Sequence, residues 1–359
     1  MNNIAIGMSG GVDSTMAALI LKEQGYNVIG LTMAIWDDTI PLTESSKSGC
    51  FGPGESEDIA AAVSACEKLS IEHHVISLKD EFRTNVLDYF CSTYTSGKTP
   101  NPCVMCNQRL KFGFLPQRAR EMGLQFEKFA TGHYVRVRYD ESSRRWQLLR
   151  AIDHFKDQSY FLTFLSQAQL AQASFPMGEF LKEQTKALAI QYGFEELATK
   201  QESQDFLETD DYSILFEKGT FAAGKIINID GTEIGTHQGL IHYTIGQRKN
   251  LGIPGQTEPY YVLEINAKTN TIVVGPKQYL YTHDLEAHSM NWISIETPVA
   301  DFTASAKIRL GSDPSPCTVR IIDQSAVSVH FDEPQLSITP GQVVVIYNGD
   351  IVLGGGIIR

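Results

Sequence analysis

Two short strings in the first third of the chain combine residue types that do chemistry. The first is MSGGVDST, Met8 to Thr15, set between a strand-like run, NIAIGM, and a helical pattern, STMAALILKEQGY. Gly10 and Gly11 let the backbone turn sharply and bring its amides close to an anion. Ser9 and Ser14 add hydroxyl donors, and the start of the helix adds the positive end of its dipole. Asp13 fits beside a phosphate when a divalent cation is shared between them. An isolated SGG would be no more than a strand–helix turn with Asp13 or Ser14 as its cap; the whole string SGGVDS at this position is far more specific. It is not a Walker A loop, because the lysine is missing, nor a dinucleotide-binding GxGxxG.

The second string is NPCVMCN, Asn101 to Asn107. A Cys-x-x-Cys serves as half of a zinc site, a redox disulfide, a pair of iron–sulfur ligands or a sulfur carrier. Zinc is the weakest of these, since a structural site takes four ligands and no second close Cys/His pair occurs. The other cysteines, Cys50, Cys66, Cys91 and Cys317, are scattered. They are too few for a disulfide framework, so the chain reads as cytoplasmic with reduced thiols. Cys66, Cys91 and Cys317 read as small buried hydrophobes.

The elements that must position these strings follow from the pattern around them. NIAIGM, NVIGLTMAIW and EHHVISL are strand-like, and STMAALILKEQGY and SEDIAAAVSACEKLSI are helical. That alternation predicts a parallel sheet with helices on both faces, with ligands beyond the carboxyl ends of its strands. Ser166 and Gln169 have capping-box spacing, and EFLKEQTKALAIQYG reads as a helix ending at Gly193. After about Asp205 short strands follow one another between glycine turns. Asp230-Gly231 predicts a hairpin, and Asn348-Gly349 marks another turn within a small β-barrel or sandwich. An α/β domain with a parallel sheet, followed by two β-rich modules, is the expected architecture.

Bulk properties narrow the partners. The 359 residues suffice for two or three domains, and the composition (42% hydrophobic, 20% charged) is that of a globular protein. No run of about 18 apolar residues predicts a membrane span, and the N-terminus lacks the pattern of a signal peptide. A net charge of −12 argues against a protein that coats nucleic acid non-specifically. Two local basic clusters remain: Arg109, Lys111, Arg118 and Arg120, then Arg136, Arg138, Arg144, Arg145 and Arg150. Taken alone they read as solvated, partly ion-paired faces.

SGGVDS resembles the pyrophosphate loop of the ATP-pyrophosphatase (PP-loop) superfamily, whose members cleave ATP between the α- and β-phosphates to adenylate an oxygen. Five further strings in order, GKTPNPCVMCNQRLKF, ATGHYVRV, KDQSYFL, GLIHYTIGQRKNLGI and TPGQVVVIYNGDIVLGGGII, resemble the tRNA-specific 2-thiouridylases. The resemblance implies a PP-loop catalytic domain over 1–204, a central β-rich tRNA-binding domain over 205–277 and a C-terminal β-barrel over 278–359. It implies ATP and Mg2+ as cofactors, tRNA as partner, a sulfur-donor protein or sulfide, and a monomer. The reaction implied is adenylation of the 2-oxygen of the wobble uridine and its replacement by sulfur, a substitution split into two easier steps.

Carried over by position, Gly7, Met8, Ser9, Gly10, Gly11, Val12, Asp13 and Ser14 would hold the ATP phosphates. Met33 would pack on adenine and Gly132 would line the nucleotide site. Asn101, Pro102 and Cys103 would line the target base, Cys106 fills the nucleophile position, and His133 faces tRNA. Lys156, Asp157 and Gln158, with Arg309 and Gln342 in the barrel, match tRNA contacts. Each has a plainer reading: Met33 as core, His133 as a satisfied structural group, Asp157 as a cap or turn residue, Arg309 as a solvent-facing strand residue.

The chain departs from the family pattern in two places. The usual second cysteine, in a segment resembling SQDICFI and bearing the persulfide in the usual account, is absent: the stretch here is KQESQDFLETDDYS, with Phe206 and Leu207 in place of Ile-Cys. Cys103 stands where many members have aspartate. Cys103 could therefore resolve or carry sulfur for Cys106. Alternatively Cys50, Cys103 and Cys106 could hold a [4Fe–4S] cluster with an open iron, the arrangement this reading favours slightly. A cluster-dependent paralogue thiolating another tRNA position, a different PP-loop enzyme adenylating a small metabolite, and a non-catalytic tRNA-binding descendant are the rival readings.

Overall fold

The computed structural model describes residues 2–38, 40, 42, 49–200, 205–209, 211–217, 221–254 and 258–359. Strand β1 (Asn3–Gly7) is short and apolar; Ile4 and Ile6 enter the core on one face, and Ala5 enters the core on the other. Helix α1 (Val12–Glu23) follows it, then β2 (Asn27–Ala34), β3 (Gly49–Phe51), helix α2 (Glu55–Leu69) and β4 (Glu72–Ser77). Burial of both faces is what a near-continuous apolar strand demands, and it requires helices above and below.

A helical stretch spans 79–95. A second, 102–121, begins with a regular turn at Pro102–Met105 and widens to i→i+5 spacing over Cys106–Phe114. Such widened turns recur at functional sites. The chain continues through β5 (Lys128–Ala130), β6 (Val135–Asp140), β7 (Arg145–Arg150), β8 (Ala173–Ser174) and the helix Lys182–Gln191 to β9 (Asp205–Leu207).

The parallel sheet has the order β4-β2-β1-β5-β8. From β1 the chain goes to β2 on one side, and β5 lies on the other, so the order reverses between β1 and β5. The loops leaving β1 and β5 diverge there and open the crevice in which such sheets hold ligands. Met8–Gly11 leaves β1 at this point and Thr131–His133 leaves β5.

The predicted capping box is formed, with the Ser166 side chain accepting from the Gln169 amide and Gln169 returning to Ser166. A four-stranded sheet follows, built from Gly224–Asn228, Glu233–His237, Tyr260–Asn266 and Thr271–Pro276. Gly231 turns its first hairpin at φ +82°. The last six strands, from Tyr281–Asn291 to Ile351–Ile358, close into a barrel by pairing of the first with the last.

The arginine-rich stretch 135–150 forms an antiparallel hairpin, β6–β7, which joins the barrel sheet rather than the parallel one: Leu149 pairs with Ile351 and Leu148 with Val352. Its charges are largely taken up inside the protein. Arg136 meets Asp350 at 2.7 Å, Arg138 donates to Gln147 at 2.8 Å, and Arg145 donates to the Trp292 carbonyl at 3.0 Å. In the other cluster Arg118 bridges Glu81 and Glu121, while Arg109 is exposed. No helix among the described residues is long and apolar enough to cross a membrane.

Candidate active site

The phosphate loop is held from within and from beneath. Ser14 Oγ donates to the Gly11 carbonyl at 3.1 Å and accepts from the Ser9 amide at 3.2 Å; Thr15 Oγ1 donates to Gly11 at 2.9 Å. Gly10 has φ +71°, and a Cβ there would lie 2.5 Å from the Asp58 carbonyl oxygen of α2. Only glycine permits that approach. Helix α1 begins after Gly11 with no side-chain cap, which leaves its first amides directed at the crevice. This is a cradle for an anion.

Gly132 completes it from the other side of the switch point. A Cβ on Gly132 would lie 2.7 Å from both the Asp13 carbonyl carbon and the Ser14 nitrogen. Asp13 itself is held by residues that no local pattern marked. Lys182 Nζ, from the start of the helix Lys182–Gln191, contacts both carboxylate oxygens at 2.7 and 2.8 Å. Tyr134 Oη donates to Asp13 at 2.8 Å and lies 2.9 Å from Thr185 Oγ1. A cation is thus brought to the loop's carboxylate from far along the chain. One carboxylate beside a phosphate cradle is the donor set by which Mg2+ is commonly held together with phosphate oxygens.

Met33, at the end of β2, is partly buried against the core. Asn101 caps the turn Pro102–Met105 by accepting from the Val104 amide at 3.3 Å, with Pro102 in the first turn where its missing N–H costs nothing. Gln342, from the barrel, accepts from Asn101 at 3.2 Å and donates to the Pro100 carbonyl at 2.8 Å. Tyr160 donates to the Val343 carbonyl at 2.8 Å. The cysteine segment is therefore seated on the C-terminal barrel as well as on its own domain.

Cys103 and Cys106 lie one turn apart, both half-buried against the core. Burial pushes the Cys106 thiol up to about 11; the Lys111 ammonium opposes that rise, and Cys50 adds to it. His133 sits well below its ordinary value, through burial first and the Lys111 charge second. Its Nδ1 meets Thr131 Oγ1 at 2.8 Å and its ring lies 6.1 Å from Phe112. Lys111 is the cation common to Cys106 and His133.

The tRNA-contact strings fall in two kinds of place. Asp157 faces inward. Its carboxylate accepts from Ser159 Oγ at 2.9 Å and from the Ala151 amide at 3.2 Å, with Arg150 and Lys307 at 3.4 and 3.8 Å. It ties β7 to the barrel. Gln158 accepts from the Tyr134 amide at 2.9 Å. Lys156 is half-buried, and Arg309 is exposed and donates to the Leu336 carbonyl.

Among the described residues no three His, Cys, Asp or Glu side chains gather as a metal site, so Cys50, Cys103 and Cys106 are not arranged as cluster ligands. No disulfide joins any of the six cysteines. Cys66 and Cys317 are buried and Cys91 half-buried, and burial pushes these thiols up to about 11, 12 and 11 respectively.

Comparison with known proteins agrees with the order of these parts. Residues 2–207 match the family described as tRNA methyl transferase HUP domain, 213–276 the tRNA methyl transferase PRC-barrel domain, and 282–358 the aminomethyltransferase beta-barrel domain. A protein of Nostoc punctiforme named tRNA-specific 2-thiouridylase MnmA is 44% identical over 363 aligned positions, covering 100% of this chain and 99% of that protein. Proteins of the same name from Trichormus variabilis and Endomicrobium trichonymphae are 45% and 42% identical; they cover 100% and 99% of this chain, and 99% and 98% of their own lengths. With the phosphate cradle, the cysteine turn and the closing barrel in the same order along the whole length, the chain belongs to the tRNA-specific 2-thiouridylase family.

Proposed function

We propose that the protein is an ATP-dependent tRNA sulfurtransferase that adenylates the 2-oxygen of the wobble uridine and replaces it with sulfur. The observation that carries this reading is the tripeptide Thr131–His133. Gly132 lies against the phosphate loop, and the next residue, His133, shares Lys111 with Cys106. This supports a reading in which nucleotide and sulfur chemistry meet at one sheet edge.

In this reading the open amides of α1, with Gly7 to Ser14, hold the ATP phosphates. Asp13 would hold Mg2+, which supplies charge neutralisation at the leaving pyrophosphate. Lys182, already on Asp13, keeps that carboxylate oriented. Met33 and Gly132 flank the nucleoside. Asn101, Pro102 and Cys103 present the target base, which must leave its stack to reach the crevice. Neutral His133 donates or accepts a hydrogen bond there without adding charge. Lys156, Gln158, Arg309 and Gln342 lie on the tRNA side, with Arg109 as a further phosphate contact. Attachment of AMP converts a poor leaving oxygen into a good one, and a sulfur nucleophile then attacks the ring carbon with Cys106 beside it. Among the described residues no cluster site gathers, and sulfur transfer is proposed here as thiol chemistry.

Incubation with ATP, Mg2+, unmodified tRNA and a persulfide donor tests this. Pyrophosphate release that needs tRNA, and 2-thiouridine in the digested nucleosides, are expected. ATP cleavage that responds to a small metabolite and ignores tRNA would overturn it.

A further inference from the structure

Gln169 caps one helix and grips a second element with the other end of the same carboxamide. Its Oε1 accepts from the Ser166 amide at 2.9 Å and from Ser166 Oγ at 3.1 Å, closing the capping box of the helix Gln167–Gln172. Its Nε2 donates to the Gln108 carbonyl at 2.8 Å and to the Phe112 carbonyl at 3.0 Å. Both carbonyls belong to the widened turns Cys106–Phe114. Donors on one side and acceptors on the other leave the carboxamide a single orientation.

The residues of the widened turns make that donor necessary. In a regular helix the Phe112 carbonyl would accept from the amide four residues on, but that residue is Pro116 and has no N–H. Beside it the ladder runs at five-residue spacing, with the Leu115 amide donating to the Leu110 carbonyl. Gly113 keeps side-chain bulk away from the other carbonyl, since a Cβ there would lie 3.3 Å from the Gln108 oxygen. Packing does not replace the clamp: a cleft of about 190 Å³, bordered by Phe112, Gly113, Pro116 and Gln169, runs along this side. A part-buried carbonyl left without a donor there would cost stability and favour a different pitch.

The clamped segment carries groups of the crevice. Cys106 is the first residue of the widened turns and Lys111 lies within them. The Phe112 ring packs against Phe129 at 5.7 Å and Phe175 at 5.6 Å, and the His133 ring lies 6.1 Å from it. Gln169 also acts from a fixed base. Gln167, on the same helix, accepts from the Trp146 amide at 2.9 Å and donates to the Trp146 carbonyl at 2.8 Å.

We propose that Gln169 is a positioning residue for sulfur transfer: it keeps Cys106–Phe114 widened and so fixes the Cys106 thiol and the Phe112–His133 contact at the crevice. The proposal rests on the thiolation reading above. Gln169 touches neither nucleotide nor base; it acts through the turn that bears Cys106. The phosphate loop is held by its own hydrogen bonds, so loosening the clamp moves the sulfur side against a stationary nucleotide side.

Gln169→Glu separates the two ends of the carboxamide. Glutamate is an equally good capping-box partner for Ser166, so the helix cap survives. The donor to Gln108 and Phe112 becomes an oxygen facing two carbonyl oxygens. In the full chain with ATP, Mg2+, unmodified tRNA and a persulfide donor, single-turnover formation of 2-thiouridine should slow on the order of tenfold to a hundredfold. The KM for ATP should stay unchanged. Iodoacetamide should reach Cys106 faster than in the wild type, counted against exposed Cys50 in the same digest. Ser166→Ala breaks the cap and leaves the clamp, so it should lower the thermal midpoint and move neither readout. Should Gln169→Glu not fold, Gln169→Ala adds no charge and is compared with Ser166→Ala in the same way. Wild-type thiolation and Cys106 alkylation in the Gln169 variants would overturn the proposal and leave the thiolation reading intact, as would a loss that Ser166→Ala shares in full. A wild type that makes no thiolated base, with Cys106 alkylation still accelerated by Gln169→Glu, would support the clamp and overturn the thiolation reading instead.

Discussion

The phosphate side and the sulfur side of the crevice are built in opposite ways. The phosphate loop is one continuous string whose hydrogen bonds run among Ser9, Gly11, Ser14 and Thr15, at most five residues apart. The sulfur side joins the turn at Pro102–Met105, Lys111 from the widened turns, His133 after β5 and Gln342 from the barrel. One is a local motif that long-range contacts only steady; the other exists only when distant segments meet.

The sharpest way to break the comparison is at the one residue that touches the phosphate side most closely from outside. Gly132→Ala places a methyl 2.7 Å from Asp13 and Ser14. Tyr134, just beyond, is bound to Asp13, so the backbone has little room to move away. Pyrophosphate release should fall to background while polysulfide labelling of the thiols persists. Loss of both together would mean that the two sides fold as one unit.

A second contrast lies among the thiols. With Cys106 at about 11, roughly one thiol in a thousand is ionised near pH 8. Iodoacetamide should therefore modify exposed Cys50 long before Cys106, as read from peptide masses over time. Faster labelling of Cys106 would contradict its burial.

Lys182→Met should lower stability by about 2 kcal/mol in urea unfolding. That is less than a fully buried pair would lose, because the Asp13 side chain retains 29% of its surface. ATP cleavage should weaken with it, and an unchanged KM for ATP would remove Lys182 from the site.

His133 provides a pH test. Its folded-state value lies below the ordinary 6.5, so the unfolded chain binds the extra proton first as pH falls. Its contribution is complete above about pH 6.5 and is lost on acidification, at up to about 1.4 kcal/mol per pH unit. His133→Asn should flatten that part of the stability curve between about pH 6.5 and 5, and an unchanged slope would count against the buried neutral imidazole. The smallest effect is expected for Gln342→Ala, which removes the bonds to Asn101 and Pro100. About 1 kcal/mol of stability and a raised KM for tRNA are expected; an effect on ATP binding alone would misplace it.

This contrast also explains what could be read from the chain beforehand. The loop SGGVDS, its flanking strand and helix, the Ser166–Gln169 cap and the Asp230-Gly231 turn are short-range features, in which residue type and backbone need coincide. Lys182 could not be found that way. It lies 169 positions from Asp13 and opens an ordinary amphipathic helix. The hairpin 135–150 reads by its charge because five arginines are interleaved with the apolar residues that would mark a strand. Asp157 matched a contact string, yet its neighbours Arg150 and Lys307 come from β7 and the barrel and turn it inward. Cys50 was legible as a cysteine in a glycine-rich loop, but the purpose of those glycines shows only once Glu208 and Leu207 lie against them.

The β6–β7 hairpin has a consequence for how the protein is made. Its β7 edge pairs with Ile351–Ile358, and the Arg150 amide donates to the Asp350 carbonyl at 2.8 Å. A ribosome delivers residues 135–150 long before the last strand that receives them. Until the strand Ile351–Ile358 emerges, this hairpin is an open edge of backbone donors and acceptors, the kind of edge on which chains aggregate. Pairings of such sequence separation are also slow to form. Loss of the strand Ile351–Ile358 would therefore damage synthesis of the nucleotide-binding half as well as the barrel, and nascent chains stalled before it would be clients for chaperones.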